Sequence, residues 1–145
     1  NGCSLRTNFL GKSKKHKNFN NWIVKNVKSD NKIFGYKNIL FSPVSMNTLA
    51  KNILLISKKK FKGTYNVGST GGISKGEYIK KFLEKNYPKF KNFELIDYNL
   101  PKNYEFAIRP YDMRLNSKKF TKKYKIKLPN TNFEVNKIIK NFKND

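Results

Sequence analysis

A strand-length apolar run that passes through a proline and a serine into a helical repeat, and then a second unit of the same kind, constrains this chain more than any other feature. Ile39, Leu40 and Phe41 form the run, Pro43 ends it, and Ser45 offers a side-chain oxygen to the first turn of a helix. Met46, Leu49, Ala50, Ile53 and Leu54 then recur at the i, i+3, i+4, i+7, i+8 spacing of one buried helix face. Residues 63–67 (GTYNV) read as a second strand and residues 68–72 (GSTGG) as the turn after it. Ser74 and Glu77 make an S-x-x-E capping box, and Tyr78, Ile79, Phe82 and Leu83 continue as a helix towards Tyr87 and Pro88.

The flanks repeat the alternation. Residues 3–10 (CSLRTNFL) are a strand closed by Gly11, and residues 11–17 (GKSKKHK) have no apolar period and read as a solvated loop. Phe19, Trp22, Ile23 and Val27 predict an amphipathic helix of about three turns ending near Ser29, Asp30 and Asn31. Ile33 and Phe34 form a short extended piece, and residues 58–62 a basic turn. Residues 93–97 are a third strand and residues 99–108 a connection rich in turn formers. Ser117, Phe120 and Tyr124 suggest a short helix. Thr131 and Glu134 match a capping box ahead of Val135, Ile138, Ile139 and Phe142 on a last amphipathic helix. Strands alternating with helices specify α/β architecture with mainly parallel strands.

Length and side-chain inventory narrow the chemistry. The 145 residues suit one domain. Cys3 is the single cysteine and His16 the single histidine, which excludes an internal disulfide, a multi-cysteine metal site and a histidine-based triad. A lone cysteine fits a reducing, cytoplasmic setting. The apolar runs fall far short of the ~20 residues that span a bilayer, so no membrane partner is expected. The net charge of +23 would ordinarily point to nucleic acid. However, 29 of the 32 cationic residues are lysines scattered along the whole length, arginine occurs only at Arg6, Arg109 and Arg114, and base-edge readers favour arginine forks. With 21 asparagines and only Ala50 and Ala107 as alanines, the composition is that of an AT-rich coding sequence.

Two catalytic patterns are suggested and fail. Gly68 and Gly71 sit between a strand and a helix, but Ile73 stands where a dinucleotide fingerprint wants its third glycine. The Tyr-x-x-x-Lys spacing of α/β reductases occurs at Tyr87 and Lys91 and at Tyr98 and Lys102. Pro88 and Pro101 break the helical stacking that such a pair needs. No catalytic residue is assigned within the chain.

Five segments in order carry a resemblance: residues 5–11 (LRTNFLG), 41–50 (FSPVSMNTLA), 63–68 (GTYNVG), 73–78 (ISKGEY) and 109–115 (RPYDMRL). Together they are similar to the C-terminal half of extended short-chain dehydrogenase/reductases of the dTDP-4-dehydrorhamnose reductase type. The resemblance implies a Rossmann-like fold with NAD or NADP as cofactor, a nucleotide-sugar substrate, and a soluble enzyme for which a homodimer is compatible. It implies that residues 1–145 form a single substrate-binding fragment of a reductase of nucleotide-activated 4-keto sugars. The glycine-rich cofactor loop and the Tyr-x-x-x-Lys helix would lie before Asn1, leaving the fragment alone inactive.

By position, Thr7 and Asn8 are implied on the cofactor side, Phe9 as a face for the hexose, and Arg109 as the guanidinium that meets the diphosphate. Asp112 is the competitor that would hold Arg109 in a local ion pair, a pairing that Pro110 opposes by keeping Arg109 extended. The family has an acidic residue where this chain has Asn47. Two other readings stand beside this one: a lysine-rich nucleic-acid-binding module, which requires a continuous basic face, and a noncatalytic regulatory relative of the reductases.

Overall fold

The structure, a computed structural model, describes residues 2–11, 18–58, 62–99 and 110–142. The sequence expectations for residues 12–17, 59–61 and 100–109 lie outside the described residues. Among the described residues, nine short strands alternate with five helices. They are β1 (Cys3–Thr7), β2 (Phe9–Leu10), α1 (Phe19–Lys28), β3 (Ile33–Tyr36), β4 (Leu40–Phe41), β5 (Val44–Ser45) and α2 (Met46–Ser57). There follow β6 (Gly63–Val67), β7 (Ile73–Ser74), α3 (Lys75–Asn86), β8 (Phe93–Ile96), β9 (Asp112–Met113), α4 (Lys118–Tyr124) and α5 (Thr131–Lys140).

The strand pairs β1 with β6, β2 with β5, β3 with β8 and β4 with β9 are parallel; β4 with β7 is antiparallel. Parallel neighbours cannot be joined by a tight turn, so each pair is bridged by a crossover that carries helices. This is the mainly parallel α/β architecture that the alternation predicts.

Two cores hold these layers. One gathers Ile23 of α1, Ile33 of β3, the α3 residues Tyr78, Ile79, Phe82 and Leu83, and the α5 residues Val135, Ile138 and Ile139. The other joins Leu49 and Ile56 of α2 to Tyr65 and Val67 of β6 and to Phe120 and Tyr124 of α4. The faces expected for α3 and α5 are therefore the buried ones. On α1, Ile23 is buried as expected, whereas Trp22 is left 45% exposed and Asn20 is fully buried, its Oδ1 accepting the Tyr78 hydroxyl at 2.7 Å.

At one place helix and strand backbones touch. A Cβ on Gly35 of β3 would stand 2.8 Å from the Gly76 Cα, and a Cβ on Gly76 of α3 would stand 2.8 Å from the Gly35 oxygen. The seating of α3 on β3 needs both residues to lack a side chain.

Three local expectations change. Pro43 does not end the extended chain, because Val44 and Ser45 resume it as β5 against β2. Helix α2 is capped by Ser45 Oγ as expected, but the face it buries is Thr48, Leu49, Asn52 and Ile56, while Met46, Ala50, Ile53 and Leu54 are exposed, Leu54 at 65%. The third change explains the second. Asn130, not Thr131, caps α5, its Oδ1 accepting the Phe133 N–H at 2.8 Å, and Glu134 does not close a capping box. Fully buried, Glu134 reaches α2: its Oε2 accepts the Ser45 N–H at 2.5 Å and its Oε1 accepts the Thr48 hydroxyl at 2.7 Å. Lys137 donates to the same Thr48 oxygen at 3.3 Å.

A carboxylate at a helix N-terminus meets both the unpaired N–H groups and the positive end of the helix dipole. That favourable partner draws the polar Thr48 inward and turns the apolar Met46, Ile53 and Leu54 out.

Deleting this carboxylate would leave the Ser45 N–H and the Thr48 hydroxyl buried without their acceptor. Glu134→Ala is expected to lower unfolding free energy by about 3 kcal/mol and Glu134→Gln by less, as read from urea denaturation. A loss below about 0.5 kcal/mol for the alanine variant would mean that the contact does not hold α2 in place.

Candidate functional site

The chain changes sheets at Asn8, between β1 and β2, and that crossing builds the site. Two hydrogen bonds clamp Asn8: its Nδ2 donates to the Met113 carbonyl of β9 at 3.0 Å, and its own carbonyl accepts the Val44 N–H at 3.0 Å. Thr7 ends β1 with its Oγ1 buried and without a hydrogen-bond partner among the described residues. Phe9 opens β2, pairs with Val44, and leaves its ring 53% exposed.

All three residues line one open cleft of about 570 Å³, together with Leu10, Asn18, Phe19, Trp22, Phe41 and Lys75. Asn18 both caps α1, accepting the Asn21 N–H at 2.9 Å, and donates to the Gly11 carbonyl at 3.3 Å, which fixes the helix against the end of β2. Phe19 and Trp22 stack with ring centroids 6.0 Å apart and planes 6° from parallel. Phe19 also meets Phe41 edge-on at 6.4 Å and Tyr78 at 5.7 Å, so one end of the aromatic wall is anchored in the core. The Lys75 ammonium lies 5.8 Å from the Phe19 ring centroid, an attractive arrangement for a cation over a π face.

The cleft therefore offers flat apolar walls, the amides of Asn8 and Asn18, the hydroxyl of Thr7 and one positive charge. Among the described residues its lining includes no carboxylate, histidine, tyrosine or cysteine. Such a surface is chemically suited to a ligand that is part planar, part polar and anionic; among the described residues of its lining no carboxylate or imidazole is available to exchange a proton near neutral pH.

The three N-terminal candidates are thus brought together, and Arg109 lies outside the described residues. Asp112, considered as its ion-pair partner, is engaged by a different arginine. Arg114 donates through Nη2 to Asp112 Oδ2 at 2.6 Å and through Nε and its backbone N–H to Oδ1 at 2.9 and 3.0 Å. Sequence reasoning passed over Asn18, Phe19, Trp22, Phe41 and Lys75 as ligand-facing residues. The available signal was a tryptophan and a phenylalanine at i, i+3 in the first turns of α1, read as a packing face.

No protein-family model matches the chain, and no curated protein matches it. Solved structures do. A dTDP-4-dehydrorhamnose reductase from Bacillus anthracis in complex with NADP superposes with a TM-score of 0.75 at 22% identity, covering 97% of this chain and 48% of that one. The enzyme of the same name from Yersinia enterocolitica gives 0.71 at 20% identity, covering 95% and 48%. The chain has the fold of the dTDP-4-dehydrorhamnose reductases over about half their length.

The reductase fold extends to sugar-nucleotide epimerases. A UDP-glucose 4-epimerase from Thermotoga maritima, solved with UDP-glucose, gives a TM-score of 0.66 at 12% identity, covering 95% of this chain and 44% of that one. Within the described residues of this reductase-like chain, no helix is long and apolar enough to cross a membrane.

The Asp112–Arg114 fork has a measurable signature. The side-chain hydrogen bonds from Arg114, helped by its backbone N–H, hold the Asp112 carboxyl at about 2, below its ordinary 3.8. A depressed carboxyl favours the folded state above its ordinary value, and that contribution disappears as pH falls through about 2. Carbon-detected NMR titration should therefore place the Asp112 midpoint near 2, and Arg114→Ala should return it towards 3.8.

Proposed function

We propose that this chain is the substrate-binding part of an NAD(P)-dependent reductase of a nucleotide-activated 4-keto sugar, working in the supply of nucleotide sugars for polysaccharide synthesis. One observation carries the reading. Thr7, Asn8 and Phe9, the consecutive residues to which the resemblance points, line a single cleft with aromatic walls and one cation, in a chain that has the reductase fold.

The residues present fit a nicotinamide cofactor at the Thr7 end. Thr7 Oγ1 is a buried oxygen with no partner among the described residues, placed where β1 ends, and beyond the carboxyl ends of parallel strands is where α/β folds receive ligands. Thr7 and Asn8 would hold that cofactor, which when bound supplies the hydride for the carbonyl carbon of the keto sugar. Phe9 offers its exposed face to the hexose, where ring C–H groups pack on the π surface and keep the sugar from tumbling. Arg109 would clamp the diphosphate with a guanidinium fork.

The proton that completes reduction must come from outside this cleft lining. The catalytic tyrosine and lysine, with the glycine-rich cofactor loop, are assigned to another part of the parent protein. Two features support that division. The chain spans about half of the structures it resembles. Among the described residues β1 also pairs with β6 alone, leaving Ser4 and Arg6 exposed on a parallel pair, a class of sheet that is normally covered on both faces.

In the intact parent, Arg109→Ala is expected to weaken nucleotide-sugar binding at least tenfold, about 1.4 kcal/mol, with nicotinamide affinity unchanged. Phe9→Ala should raise KM for the nucleotide sugar and leave the cofactor KM as it is. Equal losses of both affinities would assign Arg109 to the fold. Turnover by the 145-residue chain alone would refute the division of labour.

A further inference from the structure

Helix α2 carries an apolar face that its own chain leaves in solvent. Met46, Ala50, Ile53, Leu54 and Ser57 fall at i, i+4, i+7, i+8 and i+11, one stripe along the helix, and all five are exposed. The three large side chains among them, Met46, Ile53 and Leu54, are 45% to 65% exposed. Ser57 brings no unpaired hydroxyl to the stripe, because its Oγ donates to the Leu54 carbonyl at 2.9 Å. Lys51 is the one charged residue in the 12 residues of the helix, in a chain of which 28% is charged. An ordinary solvent face looks different: on α3 the exposed residues are Glu77, Lys80, Glu84 and Lys85. Apolar residues scattered singly over a surface need no partner, whereas a contiguous apolar stripe marks a surface that something else covers.

We propose that this stripe is the seam against which the cofactor-binding half of the parent protein packs. The inference rests on the reading of the chain as part of a larger reductase, and adds to it where the two parts meet. Three observations choose this occupant. The solved reductases that the chain resembles are about twice its length, so a comparable mass of protein belongs beside it in that fold. Next, α2 belongs to the layer that covers the β1–β6 pair: Leu49 and Ile56 share a core with Tyr65 and Val67, and Cys3 and Leu5 pack against it. Among the described residues β1 pairs with β6 alone, and parallel sheets of this class carry helices on both faces, so strands added to the pair bring further helices into the layer that α2 occupies. The third observation is charge. A second copy of the chain is the poorer cover, because a twofold contact would set one net charge of +23 against another, with Lys51 one turn from Leu54 in each copy.

The test is thiol labelling of the intact parent, in a background where Cys3 and every cysteine outside residues 1–145 are replaced by serine. Ile53→Cys and Leu54→Cys are expected to react with a water-soluble maleimide at least tenfold more slowly than Lys51→Cys, which stays in solvent, and all three to react alike in urea. Met46→Cys supplies a third position, at the start of the stripe, should either of the others fold poorly. The protection should be unchanged on dilution, as contact within one chain requires.

Labelling of Ile53→Cys and Leu54→Cys as fast as that of Lys51→Cys, in a parent that still reduces a nucleotide sugar, would overturn this inference and leave the reductase reading standing. Protection that fades on dilution would give the stripe to a second copy and overturn it as well. A parent that binds no nicotinamide cofactor would overturn the reductase reading, and with it the identity of the cover.

Discussion

Glu134 is a carboxylate with no exposed surface, placed on one helix and spent on another. Burying such a group is expensive unless its oxygens are satisfied, and here they accept the Ser45 N–H and the Thr48 hydroxyl, which in turn accepts from Lys137. Ser45 is at once the last residue of β5 and the cap of α2, so the contact fixes a corner where strand becomes helix. The far side of that corner is the register of β5 against β2, which pairs Val44 with Phe9. The strand that carries the exposed Phe9 ring is thus tied, through β5, to an acid on α5. A change at position 134 would reach the cleft through three covalently and hydrogen-bonded steps, without touching any lining residue.

This tie also marks the boundary of what was legible in the sequence. The faces of α3 and α5, the parallel strand runs and the Ser45 and Ser74 caps follow from period and local chemistry, and all of them stand in the structure. The face of α2 does not, because Thr48 is turned inward to an acid far along the chain, and periodicity counts apolar residues alone. Residues 131–134 matched a capping-box template, yet Asn130 stood one residue earlier with a better-placed oxygen. For the cleft, Thr7, Asn8 and Phe9 were legible because they are consecutive and the resemblance points at them. Asn18, Trp22 and Lys75 come from two other elements and meet only in three dimensions.

The strong positive charge is less informative than its distribution. At the ends of the β3–β8 pair, Lys32 with Glu94 at 2.7 Å and Lys37 with Asp97 at 3.1 Å are half-exposed pairs of the kind worth little each. Among the described residues a single lysine lines the cleft, in a wall otherwise apolar, amide or hydroxyl.

The pairing of β1 with β6 joins Cys3 to Gly63, with helix α1 and helix α2 both emerging in between. None of the described strand pairs is a hairpin, and the Ser45 to Glu134 contact spans 89 residues. Closing loops of this length before any contact forms is an entropic barrier, so a chain wired in this way folds slowly for its size. On the ribosome the consequence is an order of events. The α2 corner is synthesised before α5 and waits, with Thr48 lacking its acceptor, until Glu134 has left the exit tunnel. While the 89 residues that separate the partners are made, α2 lacks the contact that seats it, which gives a chaperone time to act on this helix.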